Sequence, residues 1–189
     1  MKKKHPLWFR ILNINRVAAH ANNFYRLYRV LGKPEHFPGS TWARHSSYWS
    51  TTRKALYEGA INNCDMINDG RGHHLGKILD ELIALGQHPD VPLAELRAEL
   101  VAKAKPIAGR VSLIRNNIFS HRSEHLSFKQ VMDRARLHDD ELGELIALYL
   151  RITDELNVKI NKRNPWSLTD SGEGELLSLL GHLNEEPLE

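Results

Sequence analysis

The sequence predicts an all-α protein, and two observations carry that prediction. Apolar residues recur every three or four positions along almost all of the 189 residues, which is the spacing of one helix face. Runs that alternate apolar and polar residues between turn dipeptides, the pattern of strands, are absent from the sequence. A chain of this length with 41% hydrophobic residues is able to bury one core. We therefore expect a single helical bundle of about five to six helices over residues 1–189.

The first half of the chain predicts three helices. An apolar stripe over residues 14–31 predicts the first, which closes at Gly32. The second is expected over about residues 40–67 and is long enough to form the spine of a bundle. A leucine-rich stripe over 75–83 predicts a short third helix that Gly86 terminates.

The second half predicts four more helical segments. One apolar stripe runs from about residue 92 to 120, and Pro106 is expected to kink or divide it. Ser127 with Gln130 forms a capping-box pattern for a brief helix. A long helix is expected over 139–160, where the buried hydroxyl of Tyr149 needs a hydrogen-bond partner. A short leucine-bearing helix closes the chain.

Charge and cysteine content narrow the function classes. The formal net charge is +3, but the tail over residues 169–189 has six acidic and no basic residues, so residues 1–168 carry 26 basic against 17 acidic side chains. A basic body with a short basic extension at residues 1–6 is compatible with binding nucleic acid. The single cysteine, Cys64, excludes an internal disulfide and fits a core position in a reducing compartment. No export signal or bilayer-spanning apolar run is found, so we expect a cytoplasmic protein without membrane contact.

The candidate site lies over residues 115–121, where the apolar stripe of residues 92–120 ends. Arg115 offers a planar fork of donors that matches a phosphate, and His121 is a base that titrates near neutral pH. Asn116 and Asn117 lie between them, and Asn117 precedes His121 by four residues. On a regular helix, positions six apart point about 120° away from each other. A turn of the chain, or a second copy across a homodimer, would be needed to bring Arg115 and His121 together.

A structural interpretation of the same residues stays open. In it, His121 ends the core stripe as a buried, hydrogen-bonded histidine, Arg115 is solvated, and the two asparagines fray the helix end. Arg122 lies seven residues after Arg115, so the two guanidiniums share one side of a helix. His125 lies four residues after His121, where it would assist His121 or bind a phosphate, and simple exposure is the alternative. The adjacent histidines at 73–74 lack further ligands at helical spacing and indicate a polar turn, so no metal site is expected.

The segment over residues 114–122, Ile-Arg-Asn-Asn-Ile-Phe-Ser-His-Arg, resembles the signature of HEPN proteins. In that signature an arginine and a histidine are separated by four to six residues, with a polar residue often directly after the arginine. The order of helices is similar to the abortive-infection AbiU-type branch, in which a long aromatic-bearing helix and a short leucine-rich one precede the motif helix. One departure is Ser123, where the pattern leads us to expect an acid; Glu124 comes one place late.

The resemblance implies a HEPN-like helical bundle and a metal-independent endoribonuclease, a toxin or phage-defence effector, that needs no cofactor. By that resemblance the catalytic residues are Arg115, Asn116 and His121, and Asn117, Arg122 and His125 bind the substrate. The implied partners are RNA, a second copy of the chain and an antitoxin protein. Two rival functions stay open: a non-catalytic module that binds RNA or a nucleotide, and an interaction partner in a toxin–antitoxin pair.

Overall fold

The computed structural model describes residues 5–33, 39–68, 74–120, 127–165 and 172–185. Within these ranges the structure is helical with no strands, which confirms the predicted fold class. Seven helices are described when the continuous helical run over 93–120 is counted once, which equals the number of segments predicted along the chain and slightly exceeds the overall expectation of five to six.

The helices begin and end close to the predicted positions, except that the first begins seven residues early. Their bounds are α1 (Leu7–Val30), α2 (Gly39–Asn68), α3 (Leu75–Leu85), α4 (Leu93–Glu99), α5 (Lys105–Ile114), α6 (Phe128–Ala135), α7 (Asp139–Asn161) and α8 (Glu173–Glu185). Gly86 ends α3 in the left-handed conformation, with φ of 61°. The capping box at Ser127 and Gln130 is present, as predicted.

Three long helices, α1, α2 and α7, form the centre of the bundle. The Tyr25 hydroxyl of α1 donates to the Asp139 carbonyl at the start of α7, at 2.9 Å. The Asn161 amide at the end of α7 donates to the Trp8 carbonyl at the start of α1, at 3.0 Å. The two helices are therefore antiparallel. The main apolar core lies among these three helices and the shorter ones that pack around them.

The α1–α2 pair is closely packed because α2 has a glycine at the contact. A Cβ placed on Gly59 would lie 2.8 Å from the Phe24 ring of α1, closer than real side-chain contacts allow. At the C-terminal end of α2, the buried Tyr149 of α7 finds the partner it needs, donating to the Asn68 side-chain oxygen at 2.7 Å.

A polar layer crosses the core between α1 and α7. Asn15 is fully buried and donates through its side-chain amide to the Thr153 hydroxyl at 3.0 Å and to the Asp154 carboxylate at 2.8 Å. The amide nitrogen is thereby satisfied, as buried polar groups usually are, whereas the Asn15 Oδ1 has no hydrogen-bond partner among the described residues. This contact fixes the relative position of α1 and α7 along their length.

The helical run over 93–120 is interrupted twice by wider π-helical turns, at Leu100–Ala104 and at Arg115–Ser120. The first ends just before Pro106, which is the second residue of α5. A proline lacks the backbone N–H and its ring crowds the carbonyl four residues back, so an ordinary α-turn is disfavoured there. The predicted division of this helix at Pro106 therefore takes the form of a wide turn.

One further expectation, for Cys64, is met. Cys64 is fully buried in the core. Across the described ranges, the longer helices are too polar to cross a bilayer and the apolar ones are too short.

The close contact at Gly59 gives a stability prediction with a matched control. Gly59→Ala should destabilise the fold, because overpacking costs about 1–3 kcal/mol against a gain of about 0.5–1 kcal/mol for alanine over glycine in a helix. At Gly109 an added Cβ meets nothing within 4 Å, so Gly109→Ala should show only the stabilisation that alanine gives over glycine in a helix. Denaturant unfolding of both variants checks this. Equal stabilisation by the two substitutions would contradict the prediction, because it would show that α1 and α2 accommodate the added methyl group without loss of stability.

Candidate active site

Arg115 begins the second π-helical turn, at the surface of the bundle. Its side chain is 37% exposed, so the guanidinium is accessible to a ligand while part of it is held by the protein. The Nε atom lies 3.5 Å from the Asp65 carboxylate, and Nη1 donates to the Asn116 side-chain oxygen at 2.9 Å. Among the described residues, Nη2 has no hydrogen-bond partner. The arginine is thus anchored at one edge and open at the other.

The anchor is a buried carboxylate on α2. Asp65 is only 6% exposed, and its Oδ1 accepts a short hydrogen bond from the Ser112 hydroxyl of α5. Its Oδ2 faces Arg115. Because a buried charge is costly unless it is paired and hydrogen-bonded, both contacts hold α5 and the π-turn against α2.

The two predicted amides have different surroundings. Asn116 is exposed and bonds to Arg115, so its remaining amide donors are open to solvent. Asn117 donates from its side chain to the Leu113 carbonyl at 2.8 Å, the acceptor that its own backbone N–H would use in an α-helix. Asparagine side chains compete with the helix for backbone partners in this way. We attribute part of the widening of the helix at this point to that competition.

The wider turn changes the geometry that the sequence suggested. The expectation of about 120° between positions six apart assumed a regular α-helix. A π-turn pairs each residue with the fifth one along, so that angle does not apply between Arg115 and Ser120. His121, Arg122, Ser123, Glu124 and His125 lie outside the described residues, and their predicted roles stay predictions.

A second polar group lies one turn along α2 from the Asp65 anchor. Asn68 accepts from the Tyr149 hydroxyl and donates to the Cys64 carbonyl at 3.0 Å. Burial raises the pKa of Tyr149 above its ordinary value, so the phenol stays protonated and donates. Burial, and secondarily the charge of Asp65, also raises the pKa of the Cys64 thiol. Cys64 is therefore a packing residue and not a nucleophile.

An ion pair braces the helix that carries Arg115. Arg110 of α5 makes two parallel hydrogen bonds of 2.8 Å to the Glu141 carboxylate of α7. It also donates to the Arg136 carbonyl at 2.8 Å. This two-point geometry is the strongest that arginine makes with a carboxylate. The segment formed by α5 and the following π-turn therefore contacts α2 through Asp65 and α7 through Glu141.

Comparison with protein-family models matches residues 14–174 to the model described as AbiU2, a HEPN family. The chain belongs to the AbiU2 family of HEPN proteins. The match includes the Arg115 segment and the Asp65 anchor, and it confirms the resemblance drawn from residues 114–122. Comparisons of this AbiU2 chain with curated proteins and with solved structures found no match.

The AbiU2 chain shows no clustering of metal-binding side chains in the ranges described: no three His, Cys, Asp or Glu residues lie close enough to hold an ion. His74 begins α3, where its Nδ1 accepts from the Lys77 backbone at 3.2 Å. Burial lowers its pKa, which favours the neutral form that accepts a hydrogen bond. His74 thus caps a helix, in keeping with the polar turn predicted.

The sequence interpretation missed Asp65 and Ser112. Their partnership joins positions 47 residues apart, which no local pattern reveals. One signal was available: Asp65 is the only charged residue in the stretch 59–68 and lies directly after the core residue Cys64. A lone acid on a buried stripe indicates a specific partner.

The Arg110 brace predicts a pH dependence of stability. The hydrogen bonds from Arg110 lower the pKa of Glu141 from 4.5 to about 2, so its stabilising effect is complete above about pH 4.5 and is lost as pH falls toward 2. Glu141→Gln should be less stable than the parent at neutral pH, and the difference should narrow below about pH 4.5. Unfolding free energies measured across this range check it. Glu144→Gln, an exposed acid on the same helix, is the control; a gap that stays constant on acidification would contradict the prediction.

Proposed function

We propose that the protein is a metal-independent endoribonuclease that acts as a toxin or effector in abortive infection. The observation that carries the proposal is Arg115 itself, held by the buried Asp65 with its outer nitrogen open, within an Arg-to-His motif of an AbiU2 chain. A guanidinium fixed in this way is suited to stabilise charge on a phosphate, because it is already oriented before the substrate arrives.

In the proposed reaction, His121 takes the proton from a ribose 2′-hydroxyl as that oxygen attacks the adjacent phosphorus. The bond from phosphorus to the 5′-oxygen of the next nucleotide breaks, and solvent supplies the proton that this oxygen needs. The products are a 2′,3′-cyclic phosphate and a 5′-hydroxyl end. Since the attacking group is the 2′-hydroxyl, RNA is a substrate and DNA is not.

Arg115 would act on the phosphoryl oxygens, where negative charge builds as the 2′-oxygen attacks. The Asp65 contact engages Nε, and Nη2 has no hydrogen-bond partner among the described residues. Asn116, exposed and bonded to Nη1, would place its amide donors beside the same phosphate. Asn117 is engaged with the backbone, so its support for substrate binding would be indirect, through the shape of the turn.

A homodimer is part of the proposal. The described face of the site offers a cation and an amide at an open surface, and an RNA strand bound there needs contacts on its other side. A second copy related by a two-fold axis would supply matching Arg115 and His121 pairs. An antitoxin protein that covers this surface would restrain the activity.

Arg115→Lys separates catalysis from simple phosphate binding. The substitution keeps the charge but replaces the planar fork with a point charge, so RNA affinity should change little while cleavage falls by about tenfold or more, or about 1.4 kcal/mol of transition-state stabilisation. Affinity and single-turnover cleavage are measured on one RNA at fixed salt, because ionic strength alone alters phosphate affinity.

The matched control is Arg134→Lys, an exposed arginine of α6, which should leave both quantities unchanged. Equal losses of affinity and cleavage in Arg115→Lys would instead make Arg115 a ground-state anchor. That result would favour the non-catalytic RNA-binding function.

A further inference from the structure

An exposed tryptophan lies at the end of the bundle where α1 begins and α7 ends. Trp8 is 51% exposed, although it belongs to a helix whose other large apolar side chains pack into or against the core. The Asn161 side-chain amide donates to the Trp8 carbonyl at 3.0 Å. The backbone that carries the indole is therefore held by the last turn of α7, while about half of the residue stays open to a ligand.

The indole is supported by a small aromatic cluster. The rings of Trp8 and Phe9 meet edge to face, with centroids 5.6 Å apart and planes at 83°. On the same cluster, the His5 imidazole lies 4.9 Å from the Phe9 ring. Phe9 is half-buried, so it connects the cluster to the body of the bundle. These contacts restrict the movement of the indole before any ligand arrives.

Two cations border the tryptophan. Lys162 and Arg163 directly follow Asn161, the residue that contacts Trp8, and both are exposed. Neither forms an ion pair with a described residue. The backbone of Lys162 is fixed as the left-handed residue that ends α7, with φ of 55°. In the sequence, three further lysines at positions 2–4 precede α1.

The acids around this end of the bundle offer these cations little compensation. Glu81 of α3 accepts from Arg10 of α1 at 2.6 Å, and Glu155 of α7 pairs with Lys159 at 3.0 Å. Lys159 also reaches the backbone carbonyl of Asp90, at 3.5 Å. Among these acids only the Asp90 carboxylate is without an ion pair to a described residue. The surface beside the tryptophan is therefore positive and suits an anionic ligand.

The combination of an open aromatic ring and unpaired cations favours a single nucleic acid strand. Bases stack on exposed aromatic rings whatever their sequence, and nearby cations neutralise the phosphates that link them. A membrane surface instead needs a broad apolar face. In α1 that face is used by the core, because Ile11 and Ile14 are fully buried and Leu7 is half-buried. One indole is too small a surface to replace it.

We propose that Trp8, Lys162 and Arg163 form a binding platform for single-stranded RNA, the Trp8 platform. A base stacks on the indole, and the two cations contact the phosphates on either side of that base. The choice of RNA rests on the proposed function, but occupation of the platform does not require cleavage. None of the three residues belongs to the Arg115 site.

The distance between the platform and the Arg115 site sets the length of RNA that uses both. Glu141 braces the segment that carries Arg115, and it lies twenty residues before Asn161 on α7. Twenty residues of helix measure about 30 Å. At about 3.4 Å for each stacked nucleotide, a strand of about nine nucleotides covers that distance. The protein should therefore hold long unpaired strands more tightly than short ones.

The test measures binding of a fifteen-nucleotide 2′-O-methyl RNA at fixed salt, a probe whose blocked 2′-oxygens prevent the proposed cleavage. Trp8→Ala should weaken binding of the single strand about tenfold, and Trp8→Tyr, which keeps an aromatic ring, should weaken it less. Binding of the same strand in a duplex should not respond to Trp8→Ala, because its bases are already stacked on each other. Tyr48→Ala, which removes a 63% exposed aromatic residue of α2, is the matched control and should leave single-strand binding unchanged.

The two cations are tested together. Lys162→Gln combined with Arg163→Gln should weaken single-strand binding several-fold and reduce the slope of log affinity against log salt by about one. Arg134→Gln, at an exposed arginine of α6, should change neither quantity. Thermal unfolding of each variant establishes that it is folded.

Single-strand binding that is indifferent to Trp8→Ala, or an equal loss for strand and duplex, would overturn the proposal. Trp8-dependent binding to phosphatidylserine vesicles without Trp8-dependent RNA binding would also overturn it and would identify the surface as a membrane contact. Because the probe cannot be cleaved, a failure of the cleavage proposal would leave this binding result intact. Conversely, RNA cleavage that persists in a Trp8→Ala variant without altered strand binding would remove the platform alone.

Discussion

The placement of the candidate site depends on one buried charge. Asp65 is a carboxylate at 6% exposure, and such a group is stable only if donors reach it. Ser112 and Arg115 supply them from the helix that carries the motif. The position of that helix along α2, the orientation of Arg115 and the surface at which the site opens all follow from this requirement. Loss of one partner would leave an uncompensated charge in the core, which is strongly destabilising.

The helices could be predicted from the sequence because their apolar stripes are long and regular. Gly86 and the pair of Ser127 and Gln130 marked helix ends through local backbone chemistry, and these were predicted correctly. The two wide turns at Leu100–Ala104 and Arg115–Ser120 were not predicted, because the helical spacing of apolar residues continues through them. Pro106 gave a partial signal for the first. The second depends on side-chain competition at Asn117 that only the structure shows.

The site was predictable in part. Arg115 and Asn116 could be named from the motif, because the arginine and its amide neighbour are adjacent in sequence. The isolated position of Asp65 on an apolar stripe indicated a partner, but its identity could not be predicted, because Ser112 and Arg115 lie far from Asp65 in sequence. Most of the contacts that the sequence analysis did not predict are polar pairs between residues far apart in the sequence.

The basic body of the chain serves two purposes. Some arginines brace the bundle through carboxylates: Arg110 with Glu141, and Arg97 with Asp80 at 2.7 Å. Arg53 is instead held against an aromatic ring, with its guanidinium carbon 4.6 Å from the centre of the Tyr28 ring. Arg115 is intermediate, paired on its inner edge and open on its outer edge. Net charge alone would not distinguish these environments.

The most direct test of the central claim is the chemistry of the ends produced when the purified protein is incubated with RNA in the presence of a chelator. The account predicts fragments with 2′,3′-cyclic phosphate and 5′-hydroxyl ends, no cutting at 2′-O-methyl positions, and loss of all fragments in a folded His121→Ala variant. Fragments with 5′-phosphate ends, cleavage of 2′-O-methyl RNA, or parental activity in His121→Ala would contradict it.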